Sequence, residues 1–196
     1  MKLIKITYLL IILSILIQSC SEQGKKGNPL KTENDYTLLM YGLPNMEKQN
    51  SRNVIAEKWE IKFESVAGCV VTKELTDSVK TINDRVGKNI EKKYGKNWKT
   101  EFEKEIQEEY AREKQITAIL DKVDFIKKKD EQMDKEGNGL VYYMTPIKNS
   151  TTDYHVSVEG WDTINDKDVW VSYYRMTANY KTKEYKLLED KIQPRE

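Results

Sequence analysis

His155 is the only histidine in the chain, and Cys69 is one of 2 cysteines. A cysteine–histidine or serine–histidine–acid site would have to use His155, and Cys69 could pair with it. His155 lies between Tyr154 and Val156 in a strand-like stretch, on the face shared by Ser157, Glu159 and Trp161. No nucleophile elbow and no glycine-rich oxyanion loop accompanies either residue. A strand histidine and a core thiol are the simpler reading. Zinc needs several cysteine or histidine ligands, and one histidine with one free cysteine cannot supply them. The chain is expected to be no enzyme and to need no cofactor or metal.

Oxygen ligands are more plentiful. Asp134-x-Glu136-x-Asn138-Gly139 resembles the first half of an EF-hand calcium loop, with oxygens at alternate positions and glycine at the sharp turn. That register demands a bidentate glutamate where Thr145 stands, and the chain runs on into a strand pattern. A plain glycine-rich turn is the preferred reading. Asp162, Asn165, Asp166 and Asp168 form another acidic turn, which turn chemistry explains. Carboxylates crowd the stretch from Glu101 to Glu113. Helix solvation accounts for them, and no pair is marked out as general acid and base.

The only long apolar run is N-terminal. Lys2 and Lys5 precede Ile6 to Ile17, which is apolar except for Thr7 and Ser14. That length suits a signal-peptide core and falls short of the roughly 20 residues of a spanning helix. Ile17-Gln18-Ser19-Cys20 follows. This stretch resembles the lipobox of bacterial lipoproteins: an aliphatic residue, two smaller ones, then cysteine. Gln18 is larger than is usual at its position. The resemblance covers about the first 20 residues. It implies cleavage before Cys20, acylation of Cys20, and a domain held at the cell envelope outside the cytoplasm. Each buried CH₂ of an acyl chain contributes about 0.8 kcal/mol, so several chains hold durably to a bilayer. The alternative is an uncleaved anchor helix.

On that reading residues 1–19 are signal peptide. Residues 20–35 are the lipidated cysteine and a polar tether with Gly24, Gly27 and Pro29, reaching on the order of 20 Å. Residues 36–196 form one domain. Losing Lys2 and Lys5 from 33 Lys and Arg, against 32 Asp and Glu, leaves one net negative charge. That balance argues against a nucleic-acid binder, which usually carries a basic excess. With Cys20 lipidated, Cys69 has no disulfide partner, and SVAGCVV at 65–71 reads as a buried strand around it.

The remaining pattern predicts an α+β fold. YTLLMYGLP at 36–44 is a short N-terminal β segment or helix, and 45–57 a short helix. WEIKFE alternates as a strand from Trp59, and a hairpin to 65–71 is the expected pairing. Thr72 is a candidate N-cap for an amphipathic helix through Leu75, Val79, Ile82, Val86 and Ile90, ended by Gly95. Gly87 inside it could permit close packing or a bend. A second helix runs from Asn97 through Trp98, Phe102, Ile106, Tyr110, Ile116, Leu120 and Val123 to about Lys128, with a loop over 127–139. Four strands with short turns follow, predicting a four-stranded antiparallel meander packed on the two long helices.

In the third of these strands Trp170, Ser172, Tyr174 and Met176 should face one way, and Val169, Val171, Tyr173 and Arg175 the other. Both sets are partly aromatic. One face must meet the helices, and the other is apolar for bare solvent. The expected function is therefore a non-enzymatic binding module for a protein partner: a toxin or protease to be inhibited, or another envelope component. Tyr143, Trp161, Trp170, Tyr173 and Tyr174 are the candidate contacts, because Tyr and Trp are enriched at interface hot spots. Ordinary core packing competes with that role at each of them. The alternative is a small-molecule or lipid carrier using a concave sheet, and behind it an enzyme using Cys69 and His155.

Overall fold

Thr37–Tyr41 forms strand β1, and a 3-10 turn at Met46–Lys48 leads into helix α1, Gln49–Lys58. Strand β2, Lys62–Ala67, then lies parallel to β1, with Thr37 opposite Lys62. A parallel pair needs a crossover, and α1 supplies it. The expected hairpin of two strands from Trp59 to residue 71 is corrected here. Trp59 caps α1, its N–H donating to the Ile55 carbonyl at 3.0 Å. Trp59 and Ile61 are buried, but by helices rather than by alternation in a sheet. The chain leaves β2 at Ala67, so Cys69 and Val70 are exposed and not core. This computed structural model describes residues 36–195. The lipobox-like stretch, Cys20 and the tether at 20–35 lie outside the described residues.

Helix α2 is Lys73–Tyr94. The Thr72 side chain caps it, accepting from the Leu75 N–H at 3.2 Å. Val79, Val86 and Ile90 are its buried stripe. Gly95 ends it with φ +92° and ψ 170°, a positive φ that glycine tolerates, outside the left-handed helical region. A methyl on Gly87 would sit 3.8 Å from the Trp98 ring, an ordinary van der Waals contact, so close packing does not require a glycine here.

The second long helix is two helices. Helix α3 is Trp98–Leu120, and helix α4 is Asp124–Lys135. The expected loop at 127–139 is mostly α4, whose Ile126 and Met133 are buried. Only one apolar residue marks that half of α4 in sequence, which is why its period is hard to read.

The meander is as expected. Strands β3 (Val141–Pro146), β4 (Asp153–Ile164), β5 (Lys167–Asn179) and β6 (Tyr185–Pro194) lie side by side in that order, antiparallel throughout. Asn165 and Asp166 turn β4 into β5 with φ +51° and +60°, the signature of a two-residue primed hairpin.

Two large apolar cores form, with a smaller third cluster of Met133, Val171 and Tyr173. Ile55, Trp59, Ile61, Val86, Ile90 and Trp98 build the first, with Phe102 and Ile106. Ile116, Leu120 and Ile126 pack on Met144, Val156, Val158 and Met176 in the second. Helix α3 belongs to both, its N-terminal half in one and its C-terminal half in the other. The meander is therefore covered by α3 and α4, while α2 packs on β1. Among the described residues no helix is long and apolar enough to cross a membrane.

Candidate binding surface

The strand register sorts the five aromatic candidates into two sets. Val158 pairs with Tyr174, but the next residue, Glu159, pairs with Ser172, so Tyr173 is an extra residue on β5. A bulge of this kind resets which face later residues occupy. Val171 and Tyr173 point to the helices before it, and Tyr174, Met176 and Ala178 point the same way after it. The simple alternation expected for β5 therefore fails at this point.

Tyr173 and Tyr174 pack on the helix side of the sheet, away from the other three candidates. Tyr173 is 3% exposed. Its hydroxyl donates to the Trp161 carbonyl at 2.7 Å, and its ring lies under Lys129, whose Nζ is 4.0 Å from the centroid. Tyr174 is half-buried, edge-on to Phe125 at 4.8 Å. Both belong to the helix side of the sheet.

Tyr143, Trp161 and Trp170 occupy the opposite, outer face, linked by two residues not singled out in sequence. Trp161 and Trp170 stand directly opposite each other, rings edge to face at 5.3 Å. Trp170 Nε1 donates to Glu159 Oε2 at 2.7 Å. Arg195 Nε lies 2.8 Å from Glu159 Oε1, off the N–H direction, so charge rather than an aligned hydrogen bond holds that pair. The Arg195 guanidinium also covers the Tyr143 ring at 4.7 Å. Glu159 itself is fully buried. Ser157 and Ser172 hydroxyls meet at 3.0 Å beside it. A buried carboxylate thus holds Trp170 and Arg195, and the rings these two contact meet solvent: Trp161 is 47% exposed and Tyr143 38%. Sequence alternation placed Glu159 on this face but could not show it buried, because Arg195 covers it from far along the chain.

A second polar cluster lies where the two cores meet on α3. Glu109 and Glu113 are buried, against the expectation that the carboxylates of this helix are all solvated. Glu113 accepts from Ser51 Oγ and from Asn50 Nδ2, each at 2.5 Å. Glu109 Oε2 accepts from Arg112 Nη1 at 2.8 Å and from the Tyr154 hydroxyl at 3.1 Å. Burial, then the neighbouring Glu109 charge, raises the Glu113 pKa above the ordinary carboxyl range, although Ser51 and Asn50 oppose this. Burial, then Glu109, pushes the Tyr154 phenol up as well. Both Glu113 oxygens are engaged by α1, so the pair ties α1 and the sheet to α3 rather than offering a free acid. The signal was present in sequence. Positions 98, 102, 106, 109, 113, 116 and 120 form one stripe, and the carboxylates lie in it.

Cys69 follows β2 in the two-stranded sheet, and His155 is exposed on β4 of the other sheet. Asp134 and Glu136 lie at the C-terminal end of α4, where the Gly137 N–H donates to the Asp134 carbonyl at 3.1 Å. Among the described residues no three His, Cys, Asp or Glu side chains are grouped to hold a metal ion. No protein-family model, curated protein or solved structure matches the chain.

Proposed function

We propose that this chain is a non-enzymatic binding module, tethered to a bacterial envelope membrane by acyl chains on Cys20, with its domain outside the cytoplasm. A protein partner docks on the outer face of the sheet, at Trp161 and Tyr143. The single observation behind this reading is the linked set Tyr143–Arg195–Glu159–Trp170–Trp161. Its aromatic ends are exposed while its carboxylate centre is buried and held from two sides. Rings anchored in this way lose little freedom on binding, which is how hot-spot aromatics gain affinity. The helix side of the same sheet is filled by Met144, Val156 and Met176, which counts against a carrier using that face.

The test is to immobilise residues 21–196 and pass envelope and secreted proteins of the host over them. A stoichiometric protein retained through salt washes and lost on Trp161→Ala supports the reading. An empty column overturns it for stable protein partners. For the anchor, Cys20→Ser should abolish incorporation of a labelled fatty acid and leave the precursor uncleaved. Undiminished labelling would refute acylation at Cys20.

A further inference from the structure

Arg52 projects from α1 into a groove bounded by β1, β2 and α2. Its guanidinium lies over the Phe63 ring, 4.9 Å from the centroid. Nη2 donates to Gln49 Oε1 at 2.6 Å, and Nη1 to Met40 Sδ at 3.2 Å. Nε is buried and has no hydrogen-bond partner. All these neighbours are neutral. Among the described residues no carboxylate pairs with Arg52, and the acid that shares the groove, Asp84, is taken by Lys80 at 2.5 Å. Arg52 is half-buried, and taking even part of a guanidinium out of water without a counter-charge is unfavourable, because neutral partners return less than desolvation costs. Burial lowers the Arg52 pKa, as an uncompensated charge requires.

The groove is open to solvent and measures about 730 Å³, within the range of small-molecule sites. Leu39, Phe63 and Val79 give it apolar walls. Leu43, 84% exposed, and Tyr41, 45% exposed, stand at its mouth. Gly42 between them has φ +83°, which turns the chain there. An arginine without a counter-ion beside apolar walls is complementary to a molecule with an anionic head and an apolar body. A carboxylate or phosphate would bring the guanidinium a counter-charge and a bidentate acceptor, neither of which the neutral thioether and amide now in place supply.

We infer that this groove binds a small amphiphilic anion, its carboxylate or phosphate head on Arg52 and its apolar tail along Phe63, Val79 and Leu43. The site lies on the two-stranded sheet. Its ligand is independent of any protein partner on the outer face of the meander, and either reading can fail without the other.

The test uses the full chain in nanodiscs of neutral lipid, titrated by calorimetry with octanoate, octyl phosphate, octylamine and octanol. One or both anions should bind saturably, with octanol and octylamine weaker by about tenfold or more. Arg52→Gln should cost the anions about the same factor, and octanol little. Thr76→Trp, which narrows the groove from its α2 wall and keeps the arginine, should also weaken the anions. It serves as the test if Arg52→Gln fails to fold by circular dichroism. Whichever of octanoate and octyl phosphate binds more tightly identifies the head group. Equal binding of octanol and octanoate, anion binding unchanged in both variants, or no saturable anion binding would each overturn the inference.

Discussion

The Asn83 side chain engages both backbone groups of Leu39. The Leu39 N–H donates to Asn83 Oδ1 at 2.8 Å, and Asn83 Nδ2 donates to the Leu39 carbonyl at 2.9 Å. Among the described residues strand β1 pairs with β2 alone, so its other edge would leave those groups unmade inside the protein. Helix α2 thus stands in for a third strand with one amide. Asn50 of α1 does the same at Met144 on the β3 edge, at 3.3 and 2.8 Å. Asn83→Asp keeps the size and removes the donor, placing an acceptor against the Leu39 carbonyl. It should lower stability by about 1–3 kcal/mol, read from urea unfolding. An unchanged midpoint would mean the amide contributes nothing.

Glu113 should make stability fall as pH rises out of the acid range. Its folded pKa is raised above the unfolded one, chiefly by burial, so the folded state holds the proton more tightly. That contribution is fully present below the ordinary carboxyl range and is lost as pH rises through the folded value. Glu113→Gln should remove this slope. The amide can still accept from Asn50 and can donate to Ser51, so the links to α1 survive. Melting temperatures of the two proteins should be close at pH 4, with the variant the more stable at pH 7. A wild-type advantage that grows with pH would contradict the sign.

The elements best read from sequence are those whose signal is local. The α2 stripe with its Thr72 cap and the four strands with short polar turns were legible because period and turn chemistry are encoded within a few residues. The errors come from distant contacts. The β5 faces switch at Tyr173 because β4 and β5 slip register there, and no residue of β5 announces the slip. The strand expected at 65–71 is apolar enough, but among the described residues no strand pairs with Cys69 and Val70, and both are exposed. Of the residues linked on the outer face, aromatic type and strand position singled out Tyr143, Trp161 and Trp170. Arg195 went unseen because its role depends on β6 lying beside β5, where its N–H donates to the Trp170 carbonyl at 2.9 Å.

Exposed Cys69 should behave as an accessible thiol. In the chain beginning at residue 21, it should react fully with Ellman's reagent under native conditions, with no denaturant needed. Cys69→Ser should change stability by less than about 0.5 kcal/mol, as surface substitutions usually do. Protection of the thiol until unfolding would show that the segment after β2 packs against something in solution.

Gly160 sits where β4 passes closest to α4 and β5. A methyl added there would lie 3.1 Å from Met133 Cε, 3.2 Å from the Gly139 carbonyl oxygen and 3.3 Å from Tyr173 Cε2. The methionine end can yield. The Gly139 carbonyl is backbone, and the Tyr173 ring is fixed by its hydroxyl on Trp161. Relief therefore requires β4 itself to shift, close to the slip between Val158 and Glu159 that sets the outer-face cluster. Gly160→Ala should cost about 1–3 kcal/mol by overpacking. Gly68→Ala, with nothing within 4 Å of the added methyl, should stay within about 0.5 kcal/mol of wild type. The comparison separates packing from the backbone-entropy gain common to both substitutions. If Gly160→Ala proved as neutral as Gly68→Ala, β4 would have room to move at Gly160, and the outer-face aromatics would not be rigidly placed.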